Sequence, residues 1–255
     1  MPFDATQTAS SLARLLPLAA GDSNDTIDAW IVPFLATSLP VLSLFSLSKF
    51  PFPLLGALHV STTMTLTKAP TSPGKAFITW RPSDSRQTPK GVEIHVSAVT
   101  PNVLFSHKYL FLHCRLPPTG DKQAPSTPRL EITPGPIQHP LSLPASLATK
   151  WCELSQDYNP IHTSSILASL FGFKGRVAHG MSVVLLALRR LEASKAMTSG
   201  TLLVSFQRPI ILPNTRSCAV CVGEESGGSP AGLSATITVE GKVCTTVAWT
   251  RGEKQ

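Results

Sequence analysis

Two apolar stretches, each followed by four β-type runs, constrain the fold of this 255-residue chain more than any other feature. Residues 31–48 are nearly uncharged, and residues 182–193 are apolar on almost every face of a helix. A helix that is apolar all round must be wrapped by other structure. After the first stretch come runs at 58–66, 75–80, 92–99 and 104–115. After the second come runs at 201–212, 217–222, 233–239 and 243–251. These runs are rich in Val, Ile and Thr and are bounded by Gly, Pro and Asn, the pattern of strands between turns. The segments that open each series look alike, Gly56-Ala-Leu-His-Val-Ser beside Gly200-Thr-Leu-Leu-Val-Ser. A helix followed by antiparallel strands, given twice, predicts two α+β units built alike.

Residues 117–140 separate the two series. Pro117, Pro118, Gly120, Pro125, Pro128, Pro134, Gly135, Pro136 and Pro140 crowd that stretch, and it has little periodicity. The expected organisation is therefore an N-terminal unit at 1–116, a Pro-rich linker at 117–140 and a C-terminal unit at 141–255. Hydrophobic residues are 42% of the chain and charged residues 15%, which excludes intrinsic disorder. The net charge of +7 favours anionic ligands, but it is spread along the chain. No run of Lys or Arg marks a nucleic-acid footprint, so nucleic acid is not an expected partner. Residues 31–48 are about as long as a membrane span. Pro33, Pro40 and several hydroxyl residues interrupt them, and no positive cluster flanks one side. A buried core helix is the expectation, with a membrane anchor as the alternative.

Five cysteines are too few and too scattered for a disulfide scaffold. Cys218 and Cys221 form a C-x-x-C, but they lie in a strand-like run where an offset of three points them to opposite faces. Buried structural thiols are expected. His59, His95, His107, His113 and His139 have no metal-ligand spacing, and there is no phosphate-binding glycine loop, so neither metal nor cofactor is expected. The first residues, with Asp4 and a single Arg14, and the last, Glu253-Lys254-Gln255, carry no evident targeting signal. A cytoplasmic location is the expectation, with mitochondrion or peroxisome as alternatives.

The chemically informative stretch is Trp151-Cys-Glu-Leu-Ser-Gln-Asp-Tyr-Asn-Pro-Ile-His162, continuing to Phe171-Gly-Phe173 and Ala178-His-Gly-Met181. Asp157 and His162 flank Asn159-Pro160. Proline biases its predecessor toward extended geometry, so a loop rather than a helix is expected there. Such a loop can turn a carboxylate and an imidazole toward one point, and the two together are a common acid/base pair. Gly180 then opens the second apolar helix, where unpaired backbone N–H groups suit a developing oxyanion. On spacing alone a purely structural reading stands equally well, with Asp157 as a helix cap and His162 in the core.

These residues resemble the hydratase motif of the MaoC-like family of (R)-specific enoyl-thioester hydratases and 3-hydroxyacyl-thioester dehydratases. Ser155, Asp157, Asn159, Pro160, Ile161 and His162 match its first block. Gly172-Phe173 match the second, and Val177, His179, Gly180 and Met181 the third. The segment 204–210 with Leu212-Pro213 resembles the strand that follows the family's central helix. One departure is plain, because Gln156 stands where the family has glycine.

The resemblance implies a hot-dog fold, a curved antiparallel sheet wrapped around a long apolar helix. With two such units the chain would be a double hot-dog, α+β, whose N-terminal unit lacks the motif and lines the tunnel for the acyl group. It implies reversible dehydration of a 3-hydroxyacyl thioester in fatty-acid or polyketide metabolism, with the acyl group on coenzyme A or an acyl carrier protein. Asp157 and His162 would be the acid/base pair and the Gly180 N–H an oxyanion donor. Asn159 would brace the loop, His179 would contact substrate or shape the helix start, and Phe173 would contact substrate or join the core. A homodimer would suit such a protein, and no membrane is implied. The competing expectations are a cyclase acting on a polyketide intermediate and a non-catalytic acyl-binding protein.

Overall fold

The computed structural model describes residues 25–55, 57–67, 77–100, 103–116, 131–191, 197–214, 217–222 and 232–252. The N-terminal helix α1 spans Asp25–Phe45 and contains both Pro33 and Pro40. Hydroxyls at Thr37, Ser38, Ser43 and Ser46 bond back to carbonyls one turn earlier, so these polar side chains are satisfied locally on an otherwise apolar helix. Five strands follow: β1 (Ala57–Leu66), β2 (Phe77–Thr79), β3 (Ser85–Thr88), β4 (Gly91–Val99) and β5 (Val103–Leu112). The expected run 75–80 begins outside the described residues, and its described part is the short β2.

The C-terminal unit opens with β6 (Ile137–Pro140), then the helices α2 (Ser146–Ser155), α3 (Pro160–Thr163), α4 (Ser165–Leu170) and α5 (Gly180–Leu188). Strands β7 (Gly200–Phe206), β8 (Cys218–Val222), β9 (Gly232–Val239) and β10 (Lys242–Thr250) complete it. Helix α5 is buried along almost its whole length. Helix α1 divides its apolar residues between two cores. Trp30, Ile31, Phe34 and Leu35 join the large core with α5, whereas Val41 and Phe45 join a smaller one with Phe52, Val92, Ile94, Val96 and Phe111.

All ten strands form one antiparallel sheet in the order β2-β4-β5-β1-β7-β10-β9-β8-β6, with β3 also paired to β4. The two sheets expected from the repeated element order are therefore continuous. They meet where β1 pairs with β7, Ser61 opposite Ser205 through to Leu66 opposite Gly200. These are the look-alike segments, so the internal repeat closes on itself at the centre of the sheet, and each strand shields the other's edge.

Three expected boundaries move. The run 201–212 is a strand only to Phe206, because Pro209 and Pro213 follow and neither can donate to a ladder. The linker expected to reach residue 140 ends sooner, since Ile137–Pro140 pairs with β8 as an edge strand, a position where proline is tolerated. The expected helix 182–193 runs from Gly180 only to Leu188, with Arg189 as its C-cap, while residues 192–193, residues 117–130 of the linker and residues 1–24 lie outside the described residues. All five cysteines are free thiols. No described helix is long and apolar enough to cross a membrane.

Candidate active site

Helix α2 ends in a left-handed residue. Gln156 has φ 58° and ψ 17°, and its N–H bonds to the Cys152 carbonyl as a C-cap. Glycine takes that conformation without the steric cost a Cβ adds, which explains why glycine suits the position and what the exposed Gln156 gives up. The backbone course is the one a glycine would give, so the departure from the motif leaves the loop intact. The chain then reverses, and the Asp157 N–H donates to the Ser155 hydroxyl at 3.2 Å.

The loop is braced at Asn159. Its Oδ1 accepts from the Ile161 N–H, and its Nδ2 donates to the Ala57 carbonyl at the start of β1 at 3.2 Å. One side chain thus caps a helix and staples the loop to the other unit. The expectation that Pro160 would prevent a helix is corrected here. Asn159 is extended, as a residue before proline should be, but Pro160 then stands at the first position of α3. At that position the missing N–H would have had no helical partner anyway.

Asp157, His162 and His179 converge, each offering one ligand-type atom within 4.8 Å of the others. His162 Nδ1 lies 2.7 Å from the Val177 carbonyl. A carbonyl only accepts, so Nδ1 carries the proton and Nε2 is left as the basic nitrogen. Burial holds His162 below the usual histidine range, although Asp157 and the Val177 carbonyl pull the other way. The ring is therefore neutral at neutral pH. His179 stacks on it, with ring centroids 3.6 Å apart and planes 28° apart.

His179 is the N-cap residue of α5. Its Nε2 donates to the Asp157 carbonyl at 3.1 Å and lies 3.9 Å from Asp157 Oδ2. Burial, and then the neighbouring His162, push its pKa well down, so it too is neutral. Cys152 sits 3.9 Å from the same nitrogen. Burial pushes its thiol up to about 12, which makes it a packing group rather than a nucleophile. The three-residue grouping has the donor types of a cation site, and with His162 Nδ1 and His179 Nε2 protonated toward carbonyls the unprotonated ring nitrogens are His162 Nε2 and His179 Nδ1. The arrangement brings two neutral imidazoles and a carboxylate within reach of one another.

The site opens into a cavity of about 740 Å³ lined by both units. Asp157, Asn159, His162, Phe173, His179 and Gly180 all line it, so the structure brings together every residue singled out from the sequence. Gly180 begins α5, where backbone N–H groups lack helical partners. A Cβ there would stand 2.3 Å from a Phe206 ring carbon, so the ring of β7 fills the space a side chain would need. Sequence reasoning expected the N-terminal unit to line an acyl tunnel but named none of its residues as part of the site. His59 and Tyr109 line the same cavity, as do Arg86, Lys90 and Lys108. The available signal was the inward period of two along β1 and β5.

Known proteins resemble this chain in sequence and in fold. Residues 123–241 match the model of the MaoC like domain. That stretch of the chain is therefore similar to a MaoC-like domain. A relative named 3-hydroxyacyl-thioester dehydratase X, from Mycobacterium tuberculosis, is 27% identical over 195 residues, covering 75% of this chain and 69% of that protein. The MaoC-like fold extends beyond the matched domain. The crystal structure of HtdX of M. tuberculosis superposes with a TM-score of 0.70 at 23% identity, over 99% of this chain and 97% of that one. A MaoC-like dehydratase from Phytophthora capsici gives 0.64 at 14% identity, over 98% and 94%. With the helix-and-sheet topology described above, the fold is the double hot-dog.

Proposed function

We propose that this chain is a hydro-lyase that interconverts a 3-hydroxyacyl thioester and a trans-2-enoyl thioester, with Asp157 and His162 as its acid/base pair. The observation that carries this reading is the hydrogen bond from His162 Nδ1 to the Val177 carbonyl. It presents a neutral, basic Nε2 beside the Asp157 carboxylate, near the start of α5, inside a cavity of about 740 Å³ that has room for an acyl group. The α-proton of a thioester is weakly acidic and hydroxide leaves poorly, so the reaction needs a base, a route for a proton to oxygen, and donors for the thioester oxygen. The proton taken from C2 leaves with the C3 hydroxyl as water, and the pair returns to its starting protonation. Hydration retraces the same steps.

The N–H groups opening α5 at Gly180 are suited to hold the thioester oxygen as charge develops on it. Phe173 gives the cavity wall an apolar surface near the pair, and His179 keeps the His162 ring in place by stacking. The cationic side chains of Arg86, Lys90, Lys108 and Arg208 line the cavity and support a substrate delivered on an anionic carrier, the phosphates of coenzyme A or an acidic carrier protein. The same retained Asp157 and His162 count against a non-catalytic acyl binder.

The test is hydration of crotonyl-coenzyme A, followed by loss of enoyl-thioester absorbance, for wild type, Asp157→Ala and His162→Ala. Each substitution is expected to lower kcat/KM by about 10²-fold or more while circular dichroism stays that of the folded protein. An active wild type matched by either variant would refute the assignment of the pair.

A further inference from the structure

Part of the cavity lining belongs to the N-terminal unit, which lacks the hydratase motif. Asn159 ties the loop to the Ala57 carbonyl. Two positions along β1 from Ala57 stands His59, which pairs across the ladder with Tyr109 of β5. A strand rises about 3.3 Å per residue, so this pair lies one short step from the loop. Alternation puts Tyr109 on the same face of β5 as the buried His107 and Phe111, which is the inner face. There it lines the cavity.

The Tyr109 ring is held on two sides. It stacks on His59 with centroids 4.8 Å apart and planes 18° apart, and it meets Phe45 edge-on at 4.9 Å. His59 in turn packs 5.1 Å from Phe206, the ring that Gly180 accommodates. A row of rings therefore runs from Phe206, beside the start of α5, through His59 to Tyr109 and Phe45. The polar groups of this row differ in their commitments. His107 Nδ1 is bonded to the Thr62 hydroxyl at 2.9 Å, and His59 Nε2 is sealed from the cavity. The Tyr109 hydroxyl makes no hydrogen bond to the described residues and is not among the sealed polar atoms. A phenolic O–H facing an apolar cavity calls for an acceptor.

We propose that Tyr109 Oη donates a hydrogen bond to the oxygen on C3 of the bound acyl thioester, which makes it a catalytic residue supplied by the N-terminal unit. The inference rests on the dehydratase reading above. The thioester oxygen already has donors at the start of α5, on the C-terminal unit. Tyr109, from the N-terminal unit, lines the same cavity within reach of the Asp157 charge, where the C3 oxygen would be lost or gained. Burial and the nearby Asp157 charge both push the phenol pKa upward, so the donor keeps its proton throughout the working range.

Tyr109→Phe removes the hydroxyl and keeps the ring contacts. Two unreactive ligands separate the roles: 2,2-difluoro-3-hydroxybutyryl-coenzyme A, which has no α-proton to lose, and its 3-deoxy counterpart. Calorimetric titration of the full chain is expected to show the variant binding the 3-hydroxy ligand about tenfold more weakly, with the 3-deoxy ligand within about twofold of wild type. Crotonyl-coenzyme A hydration should fall by about tenfold or more in kcat/KM. Equal weakening of both ligands, or of neither, overturns the proposal. Wild-type binding of both ligands without turnover of crotonyl-coenzyme A would instead overturn the dehydratase reading and leave the contact itself intact. An unchanged denaturation midpoint excludes a folding defect.

Discussion

Gln156 pays a backbone cost at the position where the loop needs it most. Its φ of 58° lies in the left-handed region, and its exposed side chain gains only a bond to the Glu153 carbonyl at 2.7 Å. Glycine removes the Cβ penalty of this conformation, so Gln156→Gly is expected to raise the unfolding free energy by about 1 kcal/mol. Urea denaturation measures it, and a loss of stability would show that the side-chain bond outweighs the backbone term. The motif residues themselves were legible in the sequence because the turn chemistry is local. Asn159, Pro160 and the left-handed C-cap act on neighbours within a few positions. The protonation pattern was not legible. It depends on the Val177 carbonyl meeting His162 and on His179 folding over it, and both contacts need the chain to return through α4 and the segment before α5.

Asn159 sets the geometry at the scale of elements. It caps α3, and it ties the loop to β1 across the boundary between the units. Asn159→Ala removes both bonds and is expected to cost about 1–2 kcal/mol of stability. Activity should fall as well, because Asp157 and His162 would lose their common brace. Asn159→Asp separates the two effects. It retains an acceptor for the Ile161 N–H but sets a carboxylate against the Ala57 carbonyl, so it should keep the cap and still lose activity. Equal activity in wild type and Asn159→Asp would refute the role of the staple. The same scale explains the boundaries that sequence reading misplaced. Pro160 opens a helix because the first helical N–H is dispensable, and Pro140 closes β6 because an edge strand has a free side. A proline signals a boundary without saying on which side the regular element lies.

The molecule as a whole buries several imidazoles. Burial lowers the pKa of His59 to about 4, lowers that of His162, and pushes those of His107 and His179 well down. In the unfolded chain each returns to the ordinary value of 6.5. The unfolded state therefore binds more protons in acid. The contribution of these groups to stability is fully present above about pH 6.5 and is lost as pH falls toward the folded values. Denaturation midpoints measured from about pH 8 to about pH 5 should hold level and then decline. A flat profile would mean that the rings are not held neutral in the fold. His107→Asn should flatten part of the decline, since that ring bonds to Thr62 rather than to Asp157 or His162.

The sequence by itself determined the kind and order of the elements and the motif loop, because hydrophobic periodicity and turn chemistry act over a few residues. Two apolar helices, each followed by its strands, admit few folds other than sheets wrapped around helices. Tertiary structure alone decided that the two sheets join through β1 and β7 into one. It also decided that the unit without the motif supplies His59 and Tyr109 to the same cavity. Those outcomes depend on strand register and on rings from distant segments packing together, and no local pattern in the chain encodes which strands will meet.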